Sequence, residues 1–286
     1  RERSIMSSVH AINQSYWFSP RLPHVESRST RNSSHAYKTH SHAQFSIGAI
    51  EHGETLCHYR NDVYHLQVGD LIFIDPQQPH SCNPLPGKTR SYHMLYLDTE
   101  WCLDQIADHC GYQAEILRCN RVVLRDPALF IRYQHVVALL YRGDMTSADN
   151  QLKAMLEPIW RQYCQPAPSC LPALPHHASQ ATTRHVRERL LNNLQESPSL
   201  ETLAEELNLR RETIVRQFRH DTGITPMAFL NNARIEYAKS LLKQGTPLVD
   251  ASYQSGFCDQ SHFHKTFVQY TAATPGQYAR SIFDNK

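Results

Sequence analysis

The sequence predicts a two-domain α+β chain: a strand-rich N-terminal half, a pair of helices after it, and an all-helical C-terminal third. Short β-type runs crowd residues 45–97, helical periodicity takes over from residue 126, and a proline-rich, charge-poor stretch at residues 165–180 separates the two parts. With 286 residues, each part can bury a core of its own. The expected division is 1–164 for the first domain, 165–180 for the linker and 181–286 for the second domain.

The strand runs are FSIGAI, TLCHYR, VYHLQV, LIFI and SYHMLYL. His52-Gly53, Asn61-Asp62, Gly69-Asp70 and the long loop DPQQPHSCNPLPGK break them at the spacing of a barrel or sandwich. Asp126–Arg142 then reads as a helix with Leu129, Val136, Leu139 and Leu140 on one face. Gln151–Tyr163 reads as a second, with Leu152, Met155, Leu156 and Ile159, and the pair is expected to form a homodimer interface. The segment QPAPSCLPALPHHASQ, with four prolines, is the linker.

Composition narrows the function classes. The chain is 41% hydrophobic and 20% charged, and it holds no apolar run near the roughly 18 residues of a membrane span. The opening RERSIMSSVHAINQS has no apolar core of a secretion signal, so a cytoplasmic location is expected. Eight cysteines without a CxxC pair are expected to be reduced packing residues. Net charge is +2, and residues 181–286 hold 13 Lys and Arg against 11 Asp and Glu. Bulk charge therefore does not announce a nucleic-acid binder; placement has to.

Placement is informative in the C-terminal third, where a unit repeats. LAEELNLRRETIVRQFRHDTGITP and ASYQSGFCDQSHFHKTFVQYTAATP align with Phe218 on Phe267 and Pro226 on Pro275, each a helix, a tight turn and a second helix. Ile214 and Phe218 are placed to pack on Leu203 and Leu207, and Phe263 and Phe267 repeat the arrangement. The opposite face then presents Glu212, Val215, Arg216 and Arg219 in the first unit, and Gln260, Ser261, His264, Lys265 and Val268 in the second. Such groups contact base edges and phosphates, and a ten-residue helix fits the major groove. The helix from Met227 to Lys243, with Leu230, Ala233, Tyr237 and Leu241 as its core stripe, is expected to hold the two readers about 34 Å apart, one turn of duplex.

Gly256-Phe257, Asp259-Gln260-Ser261-His262-Phe263, Phe267, Thr274-Pro275 and Tyr278-Ala279-Arg280 resemble the C-terminal signature of AraC/XylS-type transcription regulators, over about residues 183–280. The resemblance implies that Arg216 and Lys265 contact bases or backbone of double-stranded operator DNA. Glu212, Val215, Arg219, Gln260, Ser261 and His264 are further candidates. Arg210 stands where such proteins place a Ser or Thr cap, so it either leaves that helix less well capped or reaches a phosphate. Family likeness also implies RNA polymerase as a partner and no enzymatic activity.

The strand-rich half is the candidate sensor. His40 and His42, at i and i+2 on an expected strand, point the same way, and the turn after LIFI can bring His80 beside them. This half resembles the cupin barrel of many AraC-type proteins over roughly residues 25–97, which implies a small-molecule effector held by His40, His42 and His80. Tyr59, Tyr92 and Tyr96 are secondary candidates. The alternative is a metal-dependent cupin enzyme or metal sensor on the same three histidines. A metal-binding cupin usually adds a glutamate shortly after the HxH, and Gln44, Phe45 and Ser46 occupy that stretch, so no metal or cofactor is expected.

Overall fold

The computed structural model describes residues 13–164 and 178–283. Its first half runs through β1 (Asn13–Phe18), β2 (Val25–Ser33), β3 (Phe45–His52), β4 (Thr55–Tyr59), β5 (Asp62–Leu66), β6 (Leu71–Ile74), β7 (His80–Pro84) and β8 (Arg90–Leu97). Helix α1 (Thr99–Cys110), the short β9 (Val123–Leu124), α2 (Pro127–Tyr141) and α3 (Met145–Tyr163) follow. The strands form two antiparallel sheets, one ordered β1-β2-β8-β3-β6-β9 and the other β5-β4-β7.

Alternation along the central strands explains why the larger sheet is covered on both faces. Phe45, Ile47, Ala49, Leu71, Phe73, Leu95 and Leu97 point one way and pack with Tyr133, Val136, Leu152, Leu156 and Trp160 of α2 and α3. Ile50, Ile72, Ile74, Tyr92, Met94 and Tyr96 point the other way, toward Cys57, Tyr59 and Leu66 of the smaller sheet. That second face lines the interior between the sheets.

The C-terminal part is helical throughout: α4 (Ala178–Asn192), α5 (Leu200–Leu207), α6 (Arg211–Thr222), α7 (Pro226–Lys243), α8 (Leu248–Gln254), α9 (Gln260–Thr271) and α10 (Pro275–Phe283). Val186, Leu190, Leu203, Ile214, Phe218 and Leu230 make one core, with Leu207 partly buried against it. Ile235, Ala238, Leu242, Phe257, Phe263, Phe267 and Tyr278 belong to a second, and Tyr16 and Phe18 of β1 pack into that core. Side-chain caps start most of these helices: Ser199 accepts from the Thr202 amide, Thr225 from Ala228 and Asp259 from His262. Arg210 gives α6 no such cap.

Several expectations need correcting. β1 and β2 precede the strand-rich stretch read from the sequence; β2 is polar in composition yet buried along most of its length, so neither alternation nor hydrophobicity marks it. The expected loop after LIFI contains β7, which pairs with β4. His40 and His42 lie outside the named strands, and His40 makes an isolated bridge to His80. On α7, Tyr237 is exposed and Ala233 only half-buried; the helix buries Asn232, Ile235, Ala238, Lys239 and Leu242 instead, because it also faces the first domain. Cys119 and Cys164 form a disulfide across 45 residues of chain, where all eight cysteines were expected to be reduced. The expected linker falls largely outside the described residues; its last three residues, Ala178–Gln180, open α4.

Gly256, in the turn between α8 and α9, has φ +91, and a Cβ there would lie 2.0 Å from the Leu194 carbonyl oxygen and 2.7 Å from Arg234 Nε. Backbone strain and collision act together, so Gly256→Ala is expected to destabilise the protein by about 2 kcal/mol or more. Urea unfolding followed by circular dichroism checks this.

Candidate functional site: a histidine cluster closed by the helical domain

The interior between the sheets ends at the loop carrying His40 and His42 and at the start of β7 carrying His80. All three are buried, with candidate ligand atoms within 4.8 Å of one another. His40 Nδ1 lies 2.6 Å from the Lys38 carbonyl oxygen and His80 Nδ1 3.0 Å from that of Gln78. A carbonyl only accepts, so each Nδ1 carries the proton and each Nε2 keeps a lone pair. His42 Nδ1 lies 3.3 Å from Glu236 Oε1, and its buried Nε2 has no partner. The ring centroids are 4.6–5.4 Å apart. Burial, joined by its neighbouring histidines, holds His40 well below the ordinary imidazole pKa, and burial pushes His80 down to about 3.

Behind the histidines lies a cavity of about 20 Å³, the space of one water molecule. Arg28, Tyr37, Ile72, Arg90, Tyr92 and Met94 are among its lining residues. Tyr92 donates to the Tyr37 hydroxyl at 2.8 Å. Burial works to raise the Tyr92 pKa, and the nearby Arg28 and Arg90 outweigh it, leaving it below the ordinary tyrosine value. Tyr96 packs its ring on His42 at 4.8 Å, while Tyr59 donates nothing to the cluster and instead accepts from the Asp75 amide.

Helix α7 closes this end of the sheets. Asn232 accepts from the Ser41 amide at 3.0 Å and donates to the Ser41 carbonyl at 2.9 Å. Glu236 bonds both His42 and Lys239. Lys243 pairs with Glu26 of β2, which also accepts from Tyr278 of α10 at 2.8 Å. Burial opposes ionisation of Glu26, but Lys243 and Lys239 outweigh it and keep its pKa below the usual carboxylate value. Lys239 and His42 do the same for Glu236. Glu236 and Asn232 were not singled out in the sequence; on a helix known only by period they read as solvent-facing, and no local signal marks a partner nearly 200 residues away.

The two outward faces of α6 and α9 lie on the surface of the helical part. Glu212, Arg216 and Arg219 on α6 are exposed and Val215 is half-buried; Gln260, Ser261, His264 and Lys265 on α9 are exposed, as is Arg210 before α6. The phenylalanines of both helices point inward. Arg211 is held by Glu201 and lies 3.9 Å from Glu212.

Residues 22–160 match the AraC-like ligand binding domain and residues 203–281 a helix-turn-helix domain, together more than three quarters of the chain. The chain belongs to the AraC family of transcription regulators. Within that family it is 27% identical over 240 residues to YbfI of Bacillus subtilis, an uncharacterized regulator, covering 84% of this chain and 86% of that protein. It is 26% identical over 267 residues to the transcriptional activator RhaS of Salmonella schwarzengrund, covering 87% and 86%. Among solved structures, ToxT of Vibrio cholerae bound to an unsaturated fatty acid superposes with a TM-score of 0.54 at 15% identity, covering 95% of each chain. That likeness establishes a shared two-domain fold.

The buried histidines give this AraC-family member an acid-sensitive core. Because their folded-state pKa values lie below the unfolded one, their contribution is present above about pH 6.5 and lost as the pH falls below it, by up to about 1.4 kcal/mol per pH unit for each group. Stability is expected to drop between pH 7 and 4, and His80→Gln to flatten part of that slope in thermal melts across the range.

Proposed function

We propose that this transcription regulator binds operator DNA through α6 and α9 and is controlled by a small-molecule effector held between the two sheets, which we read as a cupin-type barrel. One observation supports this above all: α7, which joins the two reading units, also closes the barrel over its histidine cluster through Asn232 and Glu236. An effector touching His40, His42 or His80 acts on the same loop that α7 holds. Control requires only that it bind one arrangement of α7 more tightly than another, typically by about 1–3 kcal/mol.

Arg216 and Lys265 are the main DNA contacts in this reading, with Arg210, Glu212, Val215, Arg219, Gln260, Ser261 and His264 around them. The apolar faces of α2 and α3 that the sequence offered for a dimer interface are buried against the domain's own sheet, so homodimerisation in this reading uses the opposite, outward faces of those helices. Action in the cytoplasm together with RNA polymerase, and the absence of catalysis, complete the reading. The relatives' names as transcriptional regulators support the last point. No described helix is long and apolar enough to cross a membrane.

A second reading has its own support. Three Nε2 atoms with lone pairs, each behind an anchored Nδ1, is the arrangement in which imidazoles ligate a metal. Arg28 and Arg90 beside the cluster oppose it, since a divalent cation would join two buried positive charges. Native mass spectrometry with and without chelator separates the readings: a chelator-sensitive mass that vanishes in His80→Ala would favour the metal.

For the DNA contacts, Arg216→Ala and Lys265→Ala are each expected to weaken binding to a duplex selected by the wild-type protein by about 1–3 kcal/mol if they read a base, or to reduce the salt slope by about 1 if they hold a phosphate, with unchanged melting temperature. Fluorescence-anisotropy titrations at several salt concentrations check this. Wild-type affinity and slope in both variants would remove the assignment.

A further inference from the structure

Among the described residues, Arg28 on β2 is a buried cation without an anion. It is 5% exposed, its Nε has no hydrogen-bond partner, and its guanidinium lies over the rings of Tyr37, Tyr92 and Tyr96 at 4.9, 5.4 and 5.7 Å. Arg90, the other cation on the cavity, is occupied: it donates to the carbonyls of Ser33, His35 and Cys82 at 3.3, 3.3 and 2.8 Å. The acids buried in the described sheets are committed elsewhere, Glu26 to Lys243, Asp70 to Arg125 and Asp75 to Arg60. A desolvated charge of this kind is costly unless something of opposite sign meets it.

Apart from these cations and the neutral histidines, the cavity wall is mostly apolar, with Ile50, Leu66, Ile72, Ile74 and Met94. We infer that the effector is a small organic acid whose carboxylate pairs with Arg28 and whose apolar body lies among these residues. This rests on the reading of the cavity as the effector site and gives that site its ligand class. A planar guanidinium offers two parallel donors to a carboxylate, which an aromatic cage alone does not satisfy. The cavity holds only about a water molecule, so the acid makes room by moving its softest wall. Met94 is that wall: its Sδ lies 2.7 Å from where a Cβ on Gly48 would stand, so it occupies space that any other residue at position 48 would contest, and an unbranched thioether repacks readily.

The test uses the full-length protein with benzoate and hexanoate, and with benzamide and hexanamide as neutral counterparts, read by calorimetric titration and melting temperature. The acids are expected to bind and raise the melting temperature, and the amides to bind roughly 100-fold more weakly. Arg28→Met should melt higher than wild type without ligand, because the buried charge is gone, and should lose the acids by a similar factor. Arg28→Lys, which keeps the charge and loses the fork, should retain weakened binding. Amides binding as well as acids, acid binding that survives in Arg28→Met, or no acid binding at all overturns the inference; the amide comparison is made on wild type and does not depend on how a variant folds. Acids that bind as expected while operator affinity is the same with and without them would instead sink the effector reading and leave the acid site standing.

Discussion

Glu26 carries its charge at a position only 3% exposed, and it does so because Lys243 and Tyr278 reach it from the helical domain. Replacing Lys243 by an apolar residue while the domains stay docked would leave that ion buried without its main partner, at a cost of several kcal/mol. The seam continues through Lys239, Glu236 and His42 to the open end between the two sheets, so Lys243 and Lys239 of α7 are set against the carboxylates of Glu26 and Glu236. Buried pairs of this kind contribute little net stability compared with a packed apolar interface. What they supply here is orientation, because Lys243 and Tyr278 reach Glu26 together only when the helical domain is seated this way on β2.

That orientation positions everything else. Tyr16 donates to the Thr271 carbonyl at 2.5 Å and seats β1 against the end of α9, while Phe18 and Ile235 share one apolar core. The second helix-turn-helix unit is therefore docked on the sheet domain, and the first is placed from it by α7. Contacts at the open end between the sheets and the geometry of the outward faces depend on one helix.

The parts of the fold legible in the sequence were those whose signal is local. Phe218 and Phe267 stand at equivalent points of a repeat, and the structure buries both. Phe45, Ile47 and Ala49 alternate with Ser46, Gly48 and Ile50, and the chain forms a strand there. His40 and His42 share a face by spacing, and His80 does reach them, though through an irregular bridge and a strand hidden in a proline-flanked stretch. What remained illegible depends on partners far along the chain. VESRSTRNS carries no apolar pattern that would mark a strand, yet it buries Glu26 and Arg28 because the helical domain covers one and the tyrosine cage the other. Cys119 and Cys164 carry no spacing motif; the approach of the chain before β9 to the end of α3 brings them together.

Asn232 meets Ser41 with both halves of its amide, receiving from the backbone nitrogen and giving to the backbone oxygen of a single residue. The pair of bonds works as a strand pairing made by a side chain, and it closes only at one rotational setting of α7. Turning the helix by one residue, about 100°, points the amide elsewhere and breaks both bonds together. Mechanically this is a detent rather than a spring: α7 sits in its notch or leaves it, and its setting against the sheet domain is fixed in steps rather than continuously.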